Sequence, residues 1–171
     1  MTRRNIQESI KSVISYLEAN PEKARYEDKG ATAVVEEGLR CRAEGPDGST
    51  LVSDMLKAIG GAGSAPSPGW LLRAAVANCD ATVIAMRAAK EGIKLRTLEV
   101  TVESESDDRG LLGMDEAVPP GPLHVRTKIT IGAEGVPAER LQKLVKWAKI
   151  HSPVADAVSR AVPSIVEVEI L

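Results

Sequence analysis

The sequence predicts an α+β fold built as one domain. Three observations carry this. Apolar residues recur at helical spacing in four separate stretches, and apolar and polar residues alternate in several shorter ones. The two kinds of stretch are segregated along the chain and do not form a regular strand–helix repeat. At 171 residues the chain is also long enough to bury one core.

In chain order, Ile6, Ile10, Val13, Ile14 and Leu17 mark a first helix, which stops at Asn20-Pro21 because proline cannot continue it. A polar connector covers residues 22–30. Residues 31–54 then read as a small antiparallel meander. Val34-Val35 come before Gly38, Leu39, Cys41 and Ala43 alternate with Arg40, Arg42 and Glu44, and Gly45-Pro46-Asp47-Gly48 is a turn before Thr50-Leu51-Val52. Alternation sets Cys41 on one face and both arginines on the other.

Residues 59–69 form a loop rich in Gly, Ala, Ser and Pro. Ser67 as N-cap and Pro68 at the first helical position start a long helix over residues 68–91, with Gly92 as its stop. Leu72, Ala75, Val76, Cys79, Val83 and Met86 form its apolar stripe. Arg73, Asp80 and Arg87 form a polar one, which the pattern turns to solvent. Leu98, Val100 and Val102 alternate with Glu99, Thr101 and Glu103 in a half-buried strand. Leu123, Val125, Ile129 and Ile131 form a second, and a long irregular loop (residues 104–122) joins the two. A helix follows over residues 137–150. His151-Ser152-Pro153 breaks it and opens a short helix to about residue 160, and Val166, Val168 and Ile170 alternate with Glu167 and Glu169 in a last strand.

Composition narrows the function classes. The net charge is −2 with both signs interleaved, and aromatics are limited to two Trp and two Tyr. A nucleic-acid binder would show a basic stripe with stacking rings. No apolar run reaches the ~20 residues of a membrane span, and the start of the chain has no signal-peptide pattern, so the expectation is a cytoplasmic protein. Two cysteines, Cys41 and Cys79, are too few for a secreted disulfide framework and lack zinc spacing. No metal or cofactor motif is present: the glycines at 60, 61 and 63 lack the residues of a phosphate loop. His124 reads as solvated, His151 as a partner for the last carbonyls of a helix, and Trp70 as a packing residue.

Cys79 is the candidate centre of chemistry. It sits about three turns into its helix, beyond the reach of the helix dipole, so activation of its thiolate needs a cation from elsewhere. Arg40 and Arg42 are the candidates. Cys41 reads as a core thiol.

Gly60-Gly61-Ala62-Gly63, Pro66-Ser67-Pro68 and Leu71-Leu72-Arg73-Ala74-Ala75-Val76-Ala77-Asn78-Cys79 resemble the OsmC/Ohr family of osmotically inducible proteins and organic hydroperoxide reductases. Leu98-Glu99-Val100-Thr101-Val102 and Ser152-Pro153-Val154 extend the likeness over residues 31–171, leaving residues 1–20 as an added amphipathic helix. The resemblance implies an intertwined homodimer with curved antiparallel sheets around two central helices. It also implies thiol-dependent reduction of organic hydroperoxides, with Cys79 as the peroxidatic cysteine and an arginine, Arg40 or Arg42, beside it.

Two departures matter. Ser152 stands where the family has its resolving cysteine, and Gly69, ten residues before Cys79, stands where the reductases carry a glutamate. Ser152 before Pro153 reads as an N-cap. The expectation is therefore a one-cysteine enzyme that needs an external thiol reductant, with no cofactor. The alternative is a non-catalytic dimer that binds a small apolar ligand near Cys79.

Overall fold

The computed structural model describes residues 5–171, so the first four residues of the N-terminal segment lie outside the described part. Helix α1 spans Ile6–Ala19, capped by Asn5, whose side chain accepts from the N–H groups of Gln7 and Glu8. Strands β1 (Thr32–Glu37), β2 (Arg40–Glu44) and β3 (Thr50–Ser53) form the expected meander, antiparallel in the order β1-β2-β3. Helix α2 runs Pro68–Lys90, and the Ser67 hydroxyl accepts from Trp70 N–H as its cap. Gly92, just beyond the end, has φ +69°, which a Cβ would disfavour.

Strands β4 (Leu95–Glu105) and β5 (His124–Ala133) form an antiparallel ribbon. The connection between them contains a one-turn helix, α3 (Asp108–Leu111), where the sequence suggested only irregular chain. Helices α4 (Ala138–Ile150) and α5 (Pro153–Ser159) follow. The core lies between α2, α4 and one face of the ribbon. Ile84, Ala88, Ile93, Leu141, Leu144 and Ala148 are buried there, with Leu98, Val100, Ile129 and Ile131 packed against them. Helix α1 rests on α2, where Gln7 Nε2 donates to the Lys90 carbonyl at 3.1 Å.

Two expectations need correction. Residues 161–171 adopt no regular structure, and Val166 (81% exposed) and Ile170 (90%) lie open. Alternation marks a chain that could pair, but a strand needs a neighbouring edge, and none among the described residues pairs with it. The buried face of α2 is also rotated from the expected one, which holds only for Val76 and for Val83, packed against the core. Val76, Asp80, Ile84 and Ala88 are its buried residues, whereas Leu72 and Met86 are exposed and Cys79 is half-buried. The supposed polar stripe turns inward because its groups find partners there. Lys149 Nζ lies 2.6 Å from Asp80 Oδ2, and Arg73 donates to Ser104 of β4 at 3.1 Å.

The loop that delivers α2 is latched by Asp54, itself 2% exposed. Its carboxylate accepts from Ser64 N–H (2.9 Å), Ser64 Oγ (2.8 Å) and Met55 N–H (2.7 Å). Gly61 must be glycine, since a Cβ there would fall 1.9 Å from the Met55 carbonyl oxygen. The bond from Ser64 N–H holds the Asp54 carboxyl below its ordinary value, with smaller help from the Ser64 side chain and Met55 N–H. A depressed native value gives stability that is present above the unfolded value of ~3.9 and lost as pH falls through the native one. Asp54→Asn should therefore lower the melting temperature at neutral pH, with the gap to wild type closing below about pH 4. A gap independent of pH would exclude this latch.

Candidate functional site

Cys79 projects from the middle of α2 toward the start of α5. There Ser152 is fully buried, and its Oγ lies 3.3 Å from Cys79 Sγ, with the hydroxyl as donor. The N-cap expectation for Ser152 holds for the backbone only. Ser152 occupies the cap position of α5, and its carbonyl accepts from Asp156 N–H at 2.9 Å, but its side chain makes no cap bond. Pro153 at the first helical position has no N–H to satisfy, which lowers the need for a capping side chain. The hydroxyl is therefore available to the sulfur. A donor at that distance stabilises a thiolate more than a thiol.

The α4–α5 junction that presents Ser152 is well fixed. The His151 ring stacks on Trp147 (centroids 3.9 Å apart), and its Nδ1 lies 2.7 Å from the Trp147 carbonyl, as expected of a residue satisfying a helix end. The Arg87 guanidinium lies 4.3 Å from the Trp147 ring centroid and is also tied to Glu91. One turn before Ser152, Lys149 reaches the buried Asp80.

The other candidates lie elsewhere. Arg40 donates to Glu36 (3.1 Å) and to Ser64 Oγ (2.8 Å), and Arg42 pairs with Glu36 (2.7 Å) and Glu44. The Glu36 carboxyl is held below its ordinary value, first by the Arg42 hydrogen bond and then by Arg40. Among the described residues neither arginine is hydrogen-bonded to Cys79. A bulge between Val35 and Glu37, opposite Arg40, disturbs the register of β1 at this point. Cys41 is a half-buried free thiol, paired in register with Val35 and Ser53. At Gly69 an added Cβ would come within 3.8 Å of Arg73 Nη1. His124 is exposed, with Nδ1 3.6 Å from Glu105, and Trp70 is half-exposed at the start of α2.

Sequence reasoning passed over Asp80 and Lys149. The available signal was an acidic residue amid the apolar run 74–86, with Val76 and Ile84 four positions away on either side. With no basic residue one turn away, a partner had to come from another element. No cluster of three or more potential metal ligands occurs among the described residues, and no described helix is long and apolar enough to cross a membrane.

A family model described as OsmC-like protein matches residues 61–167, more than half of the chain and including both Cys79 and Ser152. Among curated proteins none matches. Solved structures share the fold. The organic hydroperoxide resistance protein OsmC of Legionella pneumophila is 23% identical, covering 79% of this chain and 91% of its own, with a TM-score of 0.57. An OsmC-like protein of Mycoplasma pneumoniae is 14% identical over 78% of this chain and 89% of its own, with a TM-score of 0.64. An organic hydroperoxide resistance protein of Elizabethkingia anophelis, with thiocyanate bound, is 19% identical over 79% and 90%, with a TM-score of 0.58.

Proposed function

This chain belongs to the OsmC-like protein family, and we propose that it reduces organic hydroperoxides through Cys79 as a single peroxidatic cysteine. One observation carries the proposal: the half-buried Cys79 sulfur receives the hydrogen bond of a buried serine hydroxyl at 3.3 Å. The donor sits where the family resemblance places the second cysteine.

The chemistry balances with an external thiol. The Cys79 thiolate attacks one peroxide oxygen, the O–O bond breaks, and the alkoxide leaves and takes up a proton as the alcohol. The sulfur is oxidised by two electrons to a sulfenic acid. Ser152 can hold that group but cannot form a disulfide. A small thiol or dithiol therefore attacks the sulfenic sulfur and releases water, and a second thiol group then frees Cys79 as thiolate. A cytoplasmic setting would keep such reductants available.

The test is consumption of an organic hydroperoxide with dihydrolipoamide as reductant. Wild type is expected to turn over, and Cys79→Ala to lose all consumption above the uncatalysed rate. Equal inertness of the two supports the second reading, a non-catalytic dimer that binds a small apolar ligand. Gly69 and the engagement of Arg40 and Arg42 by Glu36 favour that reading.

The proposed active form is a homodimer of the domain of residues 31–171, with helix α1 (Ile6–Ala19) as an addition to it. Every residue of β1 is exposed, including Val34 and Val35, and so are Leu72 and Met86 on α2 and the alternating residues 165–170. A single chain leaves these apolar faces in water, and a second copy would cover them. Light scattering should give twice the chain mass. Removing residues 161–171 should yield monomer or aggregate, and an unchanged dimer after that truncation would exclude a role for the arm.

A further inference from the structure

The buried ion pair between α2 and α4 stands directly beside the candidate site, and the thiol chemistry proposed above makes no use of it. Asp80 follows Cys79 in sequence, so their Cα atoms are about 3.8 Å apart. Successive helical residues point some 100° apart. Cys79 faces α5, while Asp80 turns into the interior and is fully buried. Lys149 lies in the last turn of α4, three residues before Ser152, and its Nζ meets Asp80 Oδ2 at 2.6 Å.

Two features make this contact directional. Asp80 Oδ1 has no hydrogen-bond partner among the described residues, so Lys149 alone satisfies the carboxylate. Lys149 is two-thirds covered and reaches inward from the end of its helix. The pair joins α2 one residue from the sulfur to α4 one turn from the hydroxyl. Charge and distance together restrict how α4 can rotate or slide on α2, which plain apolar packing around Leu144 and Ala148 does less strictly.

We propose that Asp80 and Lys149 are positioning residues for the site, fixing the α4–α5 junction so that Ser152 Oγ meets Cys79 Sγ. The proposal rests on the reading of Cys79 as a working thiol. It assigns to the ion pair a role that acts through Ser152.

The experiment is a mutant cycle read on Cys79 itself, as its rate of alkylation by iodoacetamide at fixed pH, scored by peptide mass so that Cys41 does not contribute. Ser152→Ala removes the donor to the sulfur and should slow alkylation about tenfold, as expected for a hydrogen bond to a charged acceptor. The charge-balanced double variant Asp80→Asn/Lys149→Met should slow it by a similar factor. Adding Ser152→Ala to that pair should have no further effect, because the hydroxyl is already displaced. Lys149→Arg, which keeps the ion pair, should retain the wild-type rate. If Asp80→Asn/Lys149→Met does not fold, Asp80→Leu/Lys149→Met replaces it in the same cycle.

A wild-type alkylation rate in the double variant, or effects that multiply with Ser152→Ala, would overturn the proposal. Failure of the catalytic reading has a different signature: no peroxide consumption by wild type, with the coupling in the alkylation cycle intact.

Discussion

Ser152→Cys should close an intramolecular disulfide with Cys79 when the protein meets an organic hydroperoxide. The Ser152 oxygen already lies 3.3 Å from the Cys79 sulfur, and Ser152 is fully buried at the head of α5. A disulfide needs sulfurs about 2.05 Å apart, so a small side-chain rotation and a slight approach of α5 to α2 complete it. The chemistry supplies the drive. Once Cys79 is a sulfenic acid, a neighbouring thiol attacks its sulfur and water leaves. Peroxide treatment of the variant should remove two thiols and link the two tryptic peptides, whereas wild type should lose only the Cys79 thiol. Persistent separate thiols at 79 and 152 would show that the two side chains do not meet in solution.

Lys149→Met should cost about 3–5 kcal/mol of folding stability, the range expected when one partner of a buried ion pair is removed. Among the described residues Asp80 would then be left in the interior with neither oxygen partnered, since Oδ1 has no partner there already and Oδ2 is held by Lys149. Urea unfolding followed by circular dichroism measures the loss, and Lys149→Arg should recover most of it. A loss below about 1 kcal/mol would mean that water reaches Asp80 readily, as it does for surface pairs.

Much of the fold is legible in the sequence where the governing interactions are local. Gly45-Pro46-Asp47-Gly48 places the β2–β3 turn, Ser67-Pro68 starts α2, and the alternation at 98–102 and 129–131 marks the ribbon strands and their core faces. Reading fails where the partner is distant. Residues 165–170 alternate like a strand but find no edge among the described residues, so their pattern alone overstates their structure. Asp80 looked solvent-facing because its partner, Lys149, lies 69 positions away.

The site shows the same division. The loop-helix-Cys79 run and the family resemblance single out Cys79 as the candidate, and the likeness of Ser152-Pro153-Val154 to a family segment marks what sits near it. The orientation of the Ser152 hydroxyl toward sulfur, and away from the helix end it caps by position, depends on packing between α2 and α5. Arg40 and Arg42 illustrate the limit. Alternation put them on one face, and Glu36 on the adjoining strand takes both.

The most direct test of the central claim is intact mass after a brief, stoichiometric exposure of the reduced protein to an organic hydroperoxide, with dimedone present. If Cys79 is the peroxidatic thiol, one dimedone adduct should form, map to Cys79 and be absent from Cys79→Ala. An unmodified Cys79, or an adduct on Cys41 in its place, would contradict the account.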